Sequence, residues 1–226
     1  MTPSPRPPAP RDPFASIAFP HDRDRLAAAR QYTDMVSRRR SVRSFSGRSV
    51  DPHIIQTAIA AAHSAPSGAN AQPWHFAVIE SLAMKRRIRE AAEAEERAFY
   101  ESRAPRAWLD ALAPIGTDAS KPYLDMAPYL IAVFYEAFGG SIDERQKRYY
   151  PVESVGIATG MLISALTAAG LATLTHTPSP MRFLCEILKR PPGERPFVLL
   201  VVGHPADDAT VPRLDRKTID AVSSWW

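Results

Sequence analysis

Apolar and polar positions along this chain change period several times, and each change marks an expected element. From Asp22 the pattern is helical. Leu26, Ala29, Met35 and Val36 recur near one face, Asp22 or Asp24 stands where a cap is needed, and Arg38 to Arg40 supply the basic end that suits a helix C-terminus. Asp51-Pro52 reads as an N-cap followed by proline at the first helical position, with Ile54, Ile55, Ala58, Ile59 and Ala62 as the buried stripe behind it. Pro66-Ser67-Gly68-Ala69-Asn70 breaks that helix and begins a turn-rich loop. A short strand is expected from His75 to Ile79, after which Ser81 can cap a long polar helix running to about Arg103. Proline and glycine punctuate residues 105 to 122, so the pattern there predicts an irregular connection or lid, with a short helix around Trp108 to Leu112.

Two apolar runs, Tyr129 to Tyr135 and Phe197 to Val202, predict strands buried on both faces. Between them, residues 152 to 169 are hydrophobic on almost every face, which predicts a central buried helix, and a second short helix covers 180 to 189 with Pro180 near its start. The expected architecture is an α/β or α+β layered domain without repeats, spanning residues 22 to 226. Before it, residues 1 to 21 carry Pro3, Pro5, Pro7, Pro8, Pro10 and Pro13 among arginines, which reads as a flexible tail. That stretch has no continuous apolar run of the kind a signal peptide or membrane anchor needs, so a soluble protein is expected.

Composition narrows the picture further. A chain of 226 residues, 45% hydrophobic and 23% charged, can bury one sizeable core. The formal net charge is +4, but the basic residues are scattered among acids, which weighs against a dedicated nucleic-acid binder. Cys185 is the single cysteine, so neither an intrachain disulfide nor a cysteine metal cage can form, and the reducing cytoplasm is the expected compartment. The histidines at 21, 53, 63, 75, 176 and 204 lack metal-binding spacing, so no metal is expected. Both standard glycine-rich phosphate cradles are missing, as is the Gly-x-Ser-x-Gly elbow of many hydrolases.

What remains is Arg39-Arg40-Ser41-Val42-Arg43, three guanidiniums and a hydroxyl in five residues. Guanidinium forks grip phosphate oxygens in pairs, so the cluster suits an anion receptor, although a solvated helix end or a polyanion patch has the same composition.

This cluster, Ala65-Pro66-Ser67-Gly68-Ala69-Asn70-Ala71-Gln72-Pro73-Trp74, and the apolar helix before Gly170-Leu171 together resemble the flavin-dependent nitroreductase superfamily. Two further segments make the chain most similar to its iodotyrosine deiodinases: Ser120-Lys121-Pro122-Tyr123-Leu124-Asp125-Met126-Ala127-Pro128, and the run from Gly203-His204-Pro205 to Asp215-Arg216-Lys217. The resemblance covers about Tyr32 to Val222. It implies a nitroreductase-like α/β (α+β) fold, with a mixed but mainly antiparallel central sheet flanked by helices, in an intertwined homodimer that binds FMN at the subunit interface.

The positions matching the family's FMN contacts are Arg39, Arg40, Ser41, Val42, Arg43, Ser67, Thr175, His176, Thr177 and Arg216. A doubly charged phosphate and a hydroxyl-rich ribityl chain suit such donors. Thr177 matches the residue that bonds flavin N5 and is the catalytic candidate. Glu96, Tyr100 and Lys121 match the residues that clasp the ammonium and carboxylate of halotyrosine, and the backbone N–H of Ala69 matches the one near its phenolate oxygen. The implied reaction is reductive dehalogenation of iodotyrosine, and of bromo- or chlorotyrosine, to tyrosine and halide, with a reduced nicotinamide (NADPH) or a flavin-reducing partner as electron source. The segment from 97 to 122 matches the lid that closes over substrate.

Departures accompany the match. His176 stands where the deiodinase pattern has threonine, Asn70 and Gln72 differ from the animal pattern, and the membrane anchor of animal members is missing, as in a soluble bacterial-type relative. By spacing alone, Glu96 and Tyr100 are an exposed helix pair and Lys121 a surface lysine. Two alternatives therefore stay open: a broader FMN oxidoreductase acting on nitroaromatics, quinones or other phenols, and a non-enzymatic flavin or polyanion binder.

Overall fold

The computed structural model describes residues 24–139 and 146–226, together with Arg11. Apart from Arg11, the proline-rich segment expected to be a tail lies outside the described residues, as does Asp22. The chain divides into two units, Met1–Ser37 and Arg38–Trp226.

In the first unit, helix α1 (Arg25–Ser37) starts on Asp24, whose carboxylate accepts from the backbone N–H of Ala27 at 3.0 Å. The expected apolar face of Leu26, Ala29, Met35 and Val36 forms no core, because no residue of α1 is buried.

The second unit opens with α2 (Pro52–His63), capped by Asp51, which accepts from His53 N–H at 2.9 Å. There follow β1 (Trp74–Ile79), α3 (Leu82–Ala98), a π-helical turn (Phe99–Arg103), α4 (Arg106–Leu112) and α5 (Tyr123–Met126). Strands β2 (Tyr129–Glu136), β3 (Phe138–Gly139) and β4 (Gln146–Lys147) lead to α6 (Pro151–Ala168), then β5 (Ala172–His176), α7 (Phe183–Ile187) and β6 (Glu194–Gly203).

The principal sheet has the order β1-β2-β6-β5, and all three pairings are antiparallel. Among the described residues its parallel component is a single bridge between Ser41 and Thr173 at the outer edge of β5. The sheet is therefore mainly antiparallel, as expected.

Side chains alternate across a strand, and this explains the continuous apolar runs. Leu130, Ala132 and Phe134 of β2 face a layer containing Ile88 and Ala92 of α3, Leu124 of α5 and Leu184 of α7. Tyr129, Ile131 and Val133 face the opposite layer, with Ile55, Ala58 and Ala62 of α2 and Val155, Leu162 and Leu166 of α6. Each large side chain fully buried here contributes on the order of 1.5–3 kcal/mol.

Two further expectations are corrected. Residues 152 to 169 do form the central helix, but Val152 and Ile157 are 44% and 47% exposed, so this chain covers only one of its apolar faces. The helix expected over 180 to 189 is confined to Phe183–Ile187, where Leu184 supplies the buried anchor. β5 has a different kind of signal: only Leu174 interrupts its threonines, and pairing with β6 supplies what the local pattern lacks.

Candidate active site

Helix α3 carries Glu96 in its last turn, and the π turn that follows carries Tyr100 on the same side. The connection from residue 104 to 120 leaves this helix, forms α4 and a short turn ended by Gly116 in the left-handed region (φ 67°), and returns at Lys121. Lys121 is 2% exposed, which corrects the surface reading that spacing alone suggests. Its Nζ lies 3.3 Å from Glu96 Oε2, donates to Thr117 Oγ1 at 3.1 Å and to the Asp118 carbonyl, and sits 5.7 Å from the centre of the Tyr100 ring. Tyr100 donates its hydroxyl to the Thr117 carbonyl at 3.1 Å. Burial raises the Tyr100 pKa, so its phenol stays protonated at neutral pH.

Glu96, Tyr100 and Lys121 all line one cavity. Arg43, Tyr123 and Thr175 to Thr177 also line it, and Phe99, Trp108 and Leu112 add apolar surface. Phe99 packs edge-on against both Tyr100 and Trp108, with ring centres 5.4 and 5.0 Å away. The site thus joins a compensated pair of opposite charges to an aromatic surface, a combination suited to a zwitterion bearing a ring.

Alternation along β5 and into the residue after it sorts Thr175, His176 and Thr177. Thr175 and Thr177 are exposed, whereas His176 between them is buried against Tyr123, with ring centres 5.8 Å apart and Nδ1 3.4 Å from the tyrosine hydroxyl. Burial, reinforced by the charges of Lys121 and Arg43, lowers the His176 pKa to about 3. Burial also raises that of Tyr123, so the pair is neutral at pH 7.

This has a consequence for stability. An unfolded histidine takes up a proton near its ordinary value of 6.5, while folded His176 takes it up only near 3, so stability is lost as pH falls through that window. Urea unfolding should therefore show a loss of up to about 1.4 kcal/mol per pH unit below about pH 6.5 from this residue. The His176→Thr variant should lack that component.

Arg39 to Arg43 run beside the outer edge of β5. Val42 N–H donates to the Thr173 carbonyl at 3.3 Å, the Arg40 guanidinium to the Pro212 carbonyl, and the Arg216 guanidinium to the Arg39 carbonyl at 3.1 Å. The guanidiniums of Arg39, Arg40 and Arg43 belong to half-buried residues, and among the described residues none has a carboxylate within ion-pair distance. Concentrated positive charge without an acidic partner fits an anionic ligand. Ser41 and Arg43 also line a second cavity with Ser44, Asp208, Thr210 and Pro212 and with Ala113 to Gly116 of the connection. Arg43, Ser41 and the exposed Thr175 and Thr177 line these cavities and have donors that suit the phosphate and hydroxyls of FMN, whereas Arg39, Arg40 and Arg216 line neither.

Ser67 and Ala69 lie elsewhere, lining neither cavity. Their loop is tightly built: Ser67 Oγ accepts from Gln72 N–H at 2.9 Å, and His63 Nδ1 accepts from Trp74 Nε1 at 3.1 Å across its base. A Cβ on Gly68 would stand 2.5 Å from the Tyr149 carbonyl oxygen, so only glycine fits that approach. Ala69, Asn70 and Gln72 hold φ of 51°, 52° and 47°, a left-handed conformation that is strained for Ala69 and Gln72 and readily adopted by asparagine.

Comparisons with known proteins give the family. A profile described as "Nitroreductase family" matches residues 36–204. The chain is 47% identical over 211 residues to the iodotyrosine deiodinase of Haliscomenobacter hydrossis, covering 93% of this chain and 95% of that protein. It is 40% identical to mouse iodotyrosine deiodinase 1, covering 93% of this chain and 74% of the mouse protein. A crystal structure of oxidized iodotyrosine deiodinase bound to FMN and 3-iodo-L-tyrosine superposes with a TM-score of 0.73 at 32% identity, covering 86% of this chain and all of that one. The chain therefore belongs to the nitroreductase family, among its iodotyrosine deiodinases.

Proposed function

We propose that this protein is an FMN-dependent oxidoreductase that removes iodide reductively from iodotyrosine to give tyrosine. The observation that carries the reading is the buried Lys121–Glu96 pair, with Tyr100 beside it, in a cavity whose other wall holds Arg43 and the Thr175 to Thr177 strand end. Arg39, Arg40, Ser41, Arg43 and Arg216 would hold the FMN phosphate. Ser67, Thr175, the His176 backbone and Thr177 would serve the rest of the cofactor, with the Thr177 hydroxyl directed at N5.

Bound FMN supplies the two electrons that, with one proton, replace iodine by hydrogen on the ring carbon and release iodide. The chain's part is recognition and positioning. Glu96 accepts the substrate ammonium and Lys121 donates to its carboxylate, so the internal ion pair is exchanged for two external ones and neither buried charge is left uncompensated. A ligand with only one of those charges leaves its opposite number unpaired, which makes the clasp selective for zwitterions. The Ala69 N–H would bond the phenolate oxygen. Residues 97 to 122 act as the lid, and their closure excludes water from the site.

We also read the active form as a homodimer. Val152 and Ile157 leave one face of α6 open, Trp225 and Trp226 are 92% and 112% exposed, and the Ser67 to Gln72 loop is separate from the cavity it would serve. A partner subunit would cover the first two and bring the loop to the cofactor. Bromo- and chlorotyrosine would be handled by the same clasp. The electron source would be NADPH or a flavin-reducing partner, and the cytoplasm, where nicotinamide is kept reduced, is the compartment we assign.

The test is anaerobic reduction of the purified yellow protein with dithionite in the presence of 3-iodotyrosine. Stoichiometric release of iodide and tyrosine is expected. Reoxidation of the reduced protein by nitroaromatics, with no iodide released, would support the broader oxidoreductase instead.

A further inference from the structure

The lysine of the clasp comes at the end of a long irregular connection, which by itself gives its backbone little definition. Its definition comes from α3. The Lys121 N–H donates to Glu93 Oε1 at 2.7 Å, while its Nζ reaches Glu96, one turn further along the same helix. One helix face thus grips this residue at both ends, by its main chain and by its ammonium. Glu93 is itself held. Arg89, one turn earlier, donates Nε to Glu93 Oε1 at 2.8 Å and Nη1 to Asp125 Oδ2 at 2.9 Å. Asp125 lies in α5, which starts two residues after Lys121, and the Leu124 N–H of that helix bonds the Lys121 carbonyl at 3.0 Å. The chain of contacts closes on itself, from Arg89 through Glu93, Lys121 and α5 to Asp125 and back.

We infer that Glu93, set by Arg89 and Asp125, is a positioning residue that fixes Lys121 for the charged end of the substrate. It rests on the halotyrosine reading and adds to it a set of residues that never touch the ligand. Three features support it beyond the distances. The side chains of Arg89, Glu93 and Asp125 are 29%, 17% and 19% exposed, so the network is shielded enough to be stiff. Asp125 Oδ1 is buried without a hydrogen-bond partner among the described residues, a cost the fold accepts to keep a carboxylate at this place. Burial pushes the Glu93 carboxyl up, but the Lys121 N–H and Arg89 outweigh it and hold its pKa below the ordinary value, so Glu93 is ionised at neutral pH. Positioning of this kind acts through pre-organisation, since a backbone shift of about 1 Å at Lys121 would spoil a charge-assisted contact.

The inference separates two ligands that share a ring. Binding is read by quenching of flavin fluorescence, independently of turnover, with 3-iodotyrosine and with 2-iodophenol, which lacks the zwitterion. In the Glu93→Ala holoprotein, affinity for 3-iodotyrosine should fall about tenfold or more, the scale of one charge-assisted hydrogen bond, with 2-iodophenol unchanged. Glu93→Gln keeps an oxygen to accept the Lys121 N–H but loses the Arg89 ion pair. It should weaken 3-iodotyrosine about threefold, again sparing 2-iodophenol, and decides the matter if the alanine variant does not fold. Equal losses for both ligands would mean a merely structural role, and no loss for either would mean that Lys121 needs no such support; each overturns the inference. If the unmodified protein binds the two ligands equally, the halotyrosine reading fails and the inference falls with it. If it prefers 3-iodotyrosine and the Glu93 variants keep that preference, only the inference falls.

Discussion

Replacing Lys121 by alanine should weaken 3-iodotyrosine binding by about a hundredfold or more, with a matching loss in kcat/KM. The size follows from what the substitution leaves behind. Glu96, whose side chain is 13% exposed, loses the cation 3.3 Å away, and an entering substrate carboxylate finds no donor and a carboxylate for a neighbour. The same loss lowers folding stability by about 3–5 kcal/mol, so the binding measurement belongs at a temperature where the variant is folded. Flavin content should be unaffected, because Lys121 is assigned to the substrate and the phosphate cluster is built from other residues. Retained affinity in a folded, yellow Lys121→Ala protein would remove the clasp from the mechanism.

The Arg39→Ala/Arg40→Ala double variant should lose its cofactor. Two charge-assisted contacts to a phosphate, each contributing about 1.5–3 kcal/mol, correspond to a decrease in FMN affinity of about a hundredfold or more. The protein should purify colourless at ordinary concentration, and isothermal titration with FMN gives the magnitude. Arg40 also bonds the Pro212 carbonyl, so the segment carrying Thr210 to Pro212 should become more mobile as well. An unchanged flavin content would return Arg39 to Arg43 to the solvated-surface reading.

Much of this was legible from pattern. The runs that became β2 and β6 are apolar because both sheet faces are covered, and Asp51-Pro52 marks the start of α2 through a cap that the structure forms. Other parts were legible only through resemblance. No local rule distinguishes Lys121 from a surface lysine, since its burial depends on where a long connection returns and on a partner 25 positions earlier in sequence, Glu96. Glu93 was missed for a related reason: on the helix it is one more acidic residue among Glu90, Glu95 and Glu96, and its bond is to a main-chain N–H, which no side-chain pattern records. His176 reads as polar in sequence, yet strand alternation turns it inward while its two threonine neighbours face out. A one-residue shift of that register would bury the threonines and expose the imidazole.

Titrating the flavin fluorescence of the purified protein with 3-iodo-L-tyrosine, tyramine-type and propionate-type iodophenols, and 2-iodophenol tests the central claim most directly. The zwitterion should bind at least tenfold more tightly than any analogue lacking its ammonium, its carboxylate or both, because a singly charged analogue leaves Glu96 or Lys121 unpaired and a neutral one gains neither contact. Equal quenching by all four, at similar concentrations, would contradict the account.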